Sequence, residues 1–62
     1  MKRAKEIDRL LAAGFQPNTF RYGQAAYGFW RDGIQLAKGC QVFTFTTAAE
    51  VAYIRQKLEA AA

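Results

Sequence analysis

The sequence predicts a small α+β domain: a two-layer sandwich with an N-terminal helix, an antiparallel three- or four-stranded meander and a C-terminal helix. Three observations predict it. Apolar residues recur at helical spacing at both ends of the chain. Alternating apolar positions, punctuated by turn signals, fill the middle. A helix cap joins the second pattern to the third. The 62 residues make one domain at most, and 52% hydrophobic with 15% aromatic content argues for a folded core carried largely by Phe and Tyr. A chain this short buries a modest share of its surface, and a dimer would relieve that shortage.

Ala4, Ile7, Leu10 and Leu11 share one face of a helix expected over Met1–Ala13, with Lys2, Lys5 and Arg9 opposite. Gly14 stops this helix in the left-handed conformation, and Phe15 is placed to fold back onto Leu10 in a Schellman cap. Gln16-Pro17-Asn18 reads as a turn, since Pro17 fixes its own backbone and holds Gln16 extended. Strands are expected over Thr19–Gln24, Ala26–Arg31, Ile34–Ala37 and Cys40–Thr46. Two-residue turns at Gly23-Gln24, Asp32-Gly33 and Lys38-Gly39 join them. That register sets Phe29 opposite Leu36 and Ile34 opposite Phe43. It gathers Phe20, Tyr22, Tyr27, Phe29, Ile34, Leu36, Phe43 and Phe45 on one apolar face. Thr47-Ala48-Ala49-Glu50 is a capping box opening a helix to about Ala60, with Val51, Ile54, Leu58 and Ala61 as its apolar stripe.

The same register leaves Arg21, Ala26, Gly28, Trp30, Gln35, Ala37, Val42 and Thr44 on the other face, with Trp30, Gln35 and Val42 in one row. An exposed tryptophan among small and polar neighbours is a binding platform. The candidate partner-binding residues are therefore Arg21, Trp30, Gln35, Val42 and Thr44. So few charges suit a protein surface, either a foreign partner or a second copy in a homodimer.

Nine Lys and Arg against five acids give a formal charge of +4, which also suits a nucleic acid. The residues for that alternative are Lys2, Lys5, Arg9, Arg21 and Arg31. Chemistry is harder to find. There is no histidine, the carboxylates do not cluster, and the single cysteine, Cys40, has no relay partner. One thiol makes no internal disulfide, and Cys and His are too few for structural zinc. The glycines sit at turn spacings rather than in a phosphate loop. These readings predict a protein that is not an enzyme and takes no cofactor, metal or small-molecule substrate. No apolar run approaches the roughly 20 residues that span a bilayer and no signal-peptide pattern is present, so the expectation is a cytoplasmic protein without membrane contact.

The segment Val42-Phe43-Thr44-Phe45-Thr46-Thr47-Ala48-Ala49-Glu50-Val51-Ala52, with its surroundings over about 27–58, resembles the strand-to-helix junction of ethylene-response-type plant DNA-binding domains. The arm-binding domains of phage integrases look similar. Their junction reads roughly Phe-x-Thr-x-x-Glu-Ala, and their three-stranded sheet lies in the DNA major groove. The resemblance implies a DNA-facing sheet, here the Trp30 face; where the family's strands alternate Arg and Trp on that face, only Arg21 and Trp30 are present here to play that part. The α-β-β-β-α order is also that of double-stranded-RNA-binding domains, whose lysine cluster at the last helix is replaced here by Ala48-Ala49.

The leading expectation is a small non-catalytic protein-interaction module, an inhibitor, an adaptor or a homodimer, of the kind phages encode. It would bind through the sheet face around Trp30. The alternative is a DNA-binding accessory protein using the sheet face and the basic N-terminal helix.

Overall fold

The computed structural model describes residues 1–18, 33–61 and, as backbone, the short strands at 21–22, 25–26 and 29–30. In chain order the elements are α1 (Ala4–Ala12), β1 (Gln16–Pro17), β2 (Arg21–Tyr22), β3 (Ala25–Ala26), β4 (Phe29–Trp30), β5 (Gly33–Lys38), β6 (Gln41–Phe45) and α2 (Ala48–Ala61). The α+β order is as expected: helix, antiparallel sheet, helix.

α1 begins later than Met1 because no side chain caps its first turn. It ends as its sequence demands. Gly14 has φ 96°. The Gly14 amide donates to the Leu11 carbonyl at 3.1 Å and the Phe15 amide to the Leu10 carbonyl at 3.0 Å. This is the Schellman pair, and it lays Phe15 against Leu10 in the core. The Lys38 ammonium then donates to the Ala13 carbonyl at 2.7 Å, a cation at the negative end of the helix.

β5 is the centre of the sheet. On one side it pairs antiparallel with β6, from Ile34↔Phe45 to Lys38↔Gln41. On the other it pairs with β1 at its C-terminal end (Gln16↔Ala37, Pro17↔Leu36) and with β4 at its N-terminal end (Phe29↔Ile34, Trp30↔Gly33). β2 and β3 form a separate ribbon (Arg21↔Ala26, Tyr22↔Ala25).

Several expectations are corrected. Gln16-Pro17 is a strand rather than a turn. A residue held extended by the proline after it is already shaped for a ladder, and the Asn18 amide prolongs the pairing with a 2.7 Å bond to the Gln35 carbonyl. The described part of Thr19–Gln24, Arg21–Tyr22, belongs to the ribbon rather than to the main sheet, in the register expected for a Gly23-Gln24 turn. Ala26–Arg31 is described only in part. Its described residues divide between ribbon and sheet, and Tyr27, Gly28, Arg31 and Asp32 lie outside the described residues, as do Thr19, Phe20, Gly23 and Gln24.

The pairings of β5 with β4 and with β6 each shift by two residues from the expected register. Gly33 joins β5 instead of the turn, and the hairpin between β5 and β6 closes on Gly39-Cys40 rather than Lys38-Gly39. Gly39 takes φ 58°, the positive value that primed hairpin turns need at their first central position. Phe29 therefore faces Ile34 instead of Leu36, and Ile34 faces Phe45 instead of Phe43. Moving a two-residue turn by one changes the pairing by two, and a shift of two leaves every side chain on its face.

On β5 and β6 the apolar face survives for that reason, with Ile34, Leu36, Phe43 and Phe45 together. Ile34, Leu36 and Phe45 are fully buried and meet Ile7 and Leu10 of α1, Phe15, and Val51 and Ile54 of α2 in one core. Phe43 packs edge-on to Phe15 with ring centroids 5.5 Å apart. Both helices thus cover the same side of the sheet. The capping box forms as expected. The Glu50 amide donates to Thr47 Oγ1 at 3.2 Å and the Thr47 amide to Glu50 Oε1 at 3.4 Å.

Candidate functional site

The side of β5 and β6 turned away from the helices carries Gln35, Ala37, Val42 and Thr44, because strand alternation sends Ile34, Leu36, Phe43 and Phe45 the other way. Val42 is 50% exposed and Thr44 is exposed, while Gln35 and Ala37 are half-buried. On the β1 side the face continues with Gln16 and Asn18. Asn18 Nδ2 donates to Gln35 Oε1 at 2.8 Å, which holds the Gln35 amide flat along the sheet. Two rows result, Asn18–Gln35–Thr44 and Gln16–Ala37–Val42, and none of the six residues is charged.

The expected row of Trp30, Gln35 and Val42 does not form. Trp30 pairs with Gly33, Gln35 with Thr44 and Ala37 with Val42. The cause is the shifted register described above. Trp30 is thus at the β4 end of the sheet, at the register position opposite Gly33, two residues along β5 from Gln35. Arg21 sits in the ribbon, which is not hydrogen-bonded to the main sheet. Arg31 lies outside the described residues. Of the five expected partner-binding residues, the structure brings Gln35, Val42 and Thr44 together.

The cations lie elsewhere. Lys2, Lys5 and Arg9 are exposed on and just before α1, a helix on the opposite side of the sheet. The acids of α1 are occupied. Arg3 Nη2 bonds Glu6 Oε1 at 2.9 Å, Arg3 Nη1 lies 3.6 Å from Glu50 Oε2, and the same guanidinium stacks 4.3 Å over the Phe45 ring. Glu50 is buried, so Arg3 neutralises a carboxylate that water barely reaches. Asp8 accepts the Tyr53 hydroxyl at 2.7 Å and lies 3.8 Å from the Lys57 ammonium. That hydrogen bond to Asp8 raises the Tyr53 phenol above its ordinary value of 10.0; reduced hydration and the Asp8 charge add to the rise, and Lys57 opposes it.

Arg3, Asn18 and Lys38 are the working residues that sequence reasoning passed over. The Arg3–Glu6 spacing was a readable signal. The other two act across 17 and 25 residues of sequence and leave none.

Among the described residues no group of Cys, Asp and Glu could hold a metal ion, and no helix is long and apolar enough to cross a membrane. Cys40 is an exposed free thiol at the hairpin turn. A shallow groove of about 180 Å³ runs along α2 beside Ala48, Val51, Ala52 and Arg55. No protein-family model, curated protein or solved structure matches the chain.

Proposed function

We propose that this chain is a small non-catalytic protein-interaction module whose contact surface is the helix-free face of its sheet. One observation carries the reading. Both helices pack on the Ile34–Leu36–Phe45 side, and the other side presents Gln16, Asn18, Gln35, Ala37, Val42 and Thr44, uncharged and with Val42 half exposed. A flat, uncharged, partly apolar surface on a rigid sheet suits a protein partner, because charges are depleted from the centres of protein interfaces. It does not suit phosphates, which need Lys and Arg. Trp30, at the β4 end, is the aromatic candidate to anchor such a contact.

The nucleic-acid reading moves to a different surface. Lys2, Lys5 and Arg9 are exposed and have no acidic partner among the described residues, while Glu6 and Asp8 are engaged. If DNA is the partner, it meets α1 and not the sheet.

The test separates the two. The chain is immobilised and exposed to extract of the cells that encode it. Captured protein is compared for the wild type, Ala37→Lys and the pair Lys5→Glu/Arg9→Glu. The expected result is loss of a specific protein with Ala37→Lys and retention with the α1 variant. Binding of mixed-sequence duplex DNA that falls with salt, at a log–log slope of about −0.9 per phosphate contact, and that disappears only in the α1 variant, would overturn the reading.

A further inference from the structure

The two long edges of the sheet are built differently. Antiparallel pairs alternate between those that exchange backbone hydrogen bonds and those that do not. The Asn18 amide bonds the Gln35 carbonyl, so Gln35 directs its backbone groups toward β1. Ile34, Leu36 and Lys38 therefore direct theirs toward β6, and meet Phe45, Phe43 and Gln41. It follows that Val42 and Thr44 turn their amides and carbonyls outward, away from β5. Among the described residues no donor or acceptor meets those groups.

The same parity applied to β1 makes Pro17 the residue that faces outward, since it opposes Leu36. Pro17 has no N–H to offer, and a proline in that place blunts an edge. β6 carries none of the usual protections. Its sequence Gln41-Val42-Phe43-Thr44-Phe45 has no charge, no proline and no glycine. Among the described residues, the β1 edge is blunted by Pro17 and the β6 edge is left unpaired.

We infer that the β6 edge pairs with the β6 edge of a second copy of this chain, antiparallel and centred on Phe43. This goes beyond the reading of the helix-free face as the contact surface: it adds a second contact, at the strand edge, and names a second copy as its partner. The geometry is self-complementary. A two-fold axis at Phe43 sets Val42 opposite Thr44 of the mate, so the outward amides and carbonyls of each copy meet those of the other. Gln41 then faces Phe45 of the mate, and no like charges meet. Phe43, half-buried against Phe15, comes to lie beside the Phe43 of the mate in a close non-hydrogen-bonded pair, which carries the core across the axis. A symmetric pair closes on itself, so it uses up the open edge instead of growing a fibre. A chain of 62 residues gains from any such extension of its core. A contact one strand long is small, and a dissociation constant of roughly 10 μM to 1 mM is expected.

The test is sedimentation equilibrium from about 1 μM to about 2 mM, where mass action moves such a dimer through its transition. Three chains are compared. Thr44→Pro removes an outward N–H that the β5–β6 ladder does not use. Ala37→Lys places a charge on the helix-free face of the central strand, away from the edge. The wild type is expected to dimerise, Ala37→Lys to dimerise as well, and Thr44→Pro to weaken the dimer at least about tenfold. Hydrogen exchange on the wild type gives a second readout that needs no variant. The amides of Val42 and Thr44 slow as concentration rises, while the Phe43 amide is slow throughout. If Thr44→Pro fails to fold, or if both variants weaken the dimer, this exchange pattern decides. A monomer at every concentration overturns the edge pairing and leaves a foreign partner on the sheet face standing. A dimer lost in Ala37→Lys, kept in Thr44→Pro and without slowed Val42 and Thr44 amides overturns it in favour of face-to-face association.

Discussion

At the scale of single residues, the side chains that hold the helices together also decide which charges stay available. Arg3 takes up Glu6 and Glu50 while stacking on Phe45, and Tyr53 with Lys57 takes up Asp8. Lys2, Lys5 and Arg9 are left as the exposed positive side of α1. The Tyr53–Asp8 bond makes a pH prediction. The neutral phenol donates to Asp8 and the phenolate cannot, so the folded-state pKa of Tyr53 lies above its ordinary 10.0. A raised pKa contributes stability that is fully present below the ordinary value and is lost as pH rises through the folded value. Following the Tyr53 ring carbon by NMR against pH, the midpoint is expected above that of a free tyrosine in the wild type and close to it in Asp8→Asn. Identical midpoints in the two proteins would show that the bond does not form in solution.

At the scale of elements, the two helices and the apolar side of the sheet were legible from the sequence, and the register was not. Periodicity at Ala4, Ile7 and Leu10, the Gly14 stop and the Thr47–Glu50 cap are local signals, and each appears in the structure where the spacing put it. The turns failed in an instructive way. Asp32-Gly33 and Lys38-Gly39 are good hairpin dipeptides, yet β5 pairs with β4 and β6 two residues away from the register they set, which leaves the faces of β5 and β6 intact and moves their partners. Alternation cannot detect that shift. The row around Trp30 depended on register and dissolved, whereas the grouping of Gln35, Val42 and Thr44 depended on alternation and survived. The strand at Gln16-Pro17 was missed because its reason is a distant one, the free side of β5. The Thr47 cap makes a further prediction. Thr47→Ala removes the hydroxyl acceptor for the Glu50 amide and keeps the residue-47 amide that donates to the Glu50 carboxylate, at a cost of about 1 kcal/mol. Urea unfolding monitored by circular dichroism measures it, and a midpoint unchanged from wild type would remove the cap from the account.

For the whole molecule, size is the governing constraint. At roughly 0.05–0.15 kcal/mol per residue, a chain of this length holds only about 3–9 kcal/mol. The core that supplies it is one cluster shared by α1, the Phe15 segment, β5, β6 and α2. Leu36 sits at its centre with no exposed surface, between β1 and β6. Leu36→Ala is expected to cost about 2–5 kcal/mol. The melting temperature then falls by at least about 10 °C, or the chain unfolds outright. A smaller drop would mean that the cluster is not cooperative. With both helices on one side, the described residues offer a partner an uncharged sheet surface, an unpaired strand edge and a cationic helix.

The most direct measurement is a map of backbone amide chemical shifts, residue by residue. It is recorded as protein concentration rises about a hundredfold, enough to move a weak equilibrium by mass action. It is recorded again on adding mixed-sequence duplex DNA at low salt. Pairing through the β6 edge predicts shifts with concentration centred on Val42, Phe43 and Thr44, and little change with DNA. Shifts absent from the sheet but strong at Lys2, Lys5 and Arg9 with DNA, and abolished by salt, would contradict it.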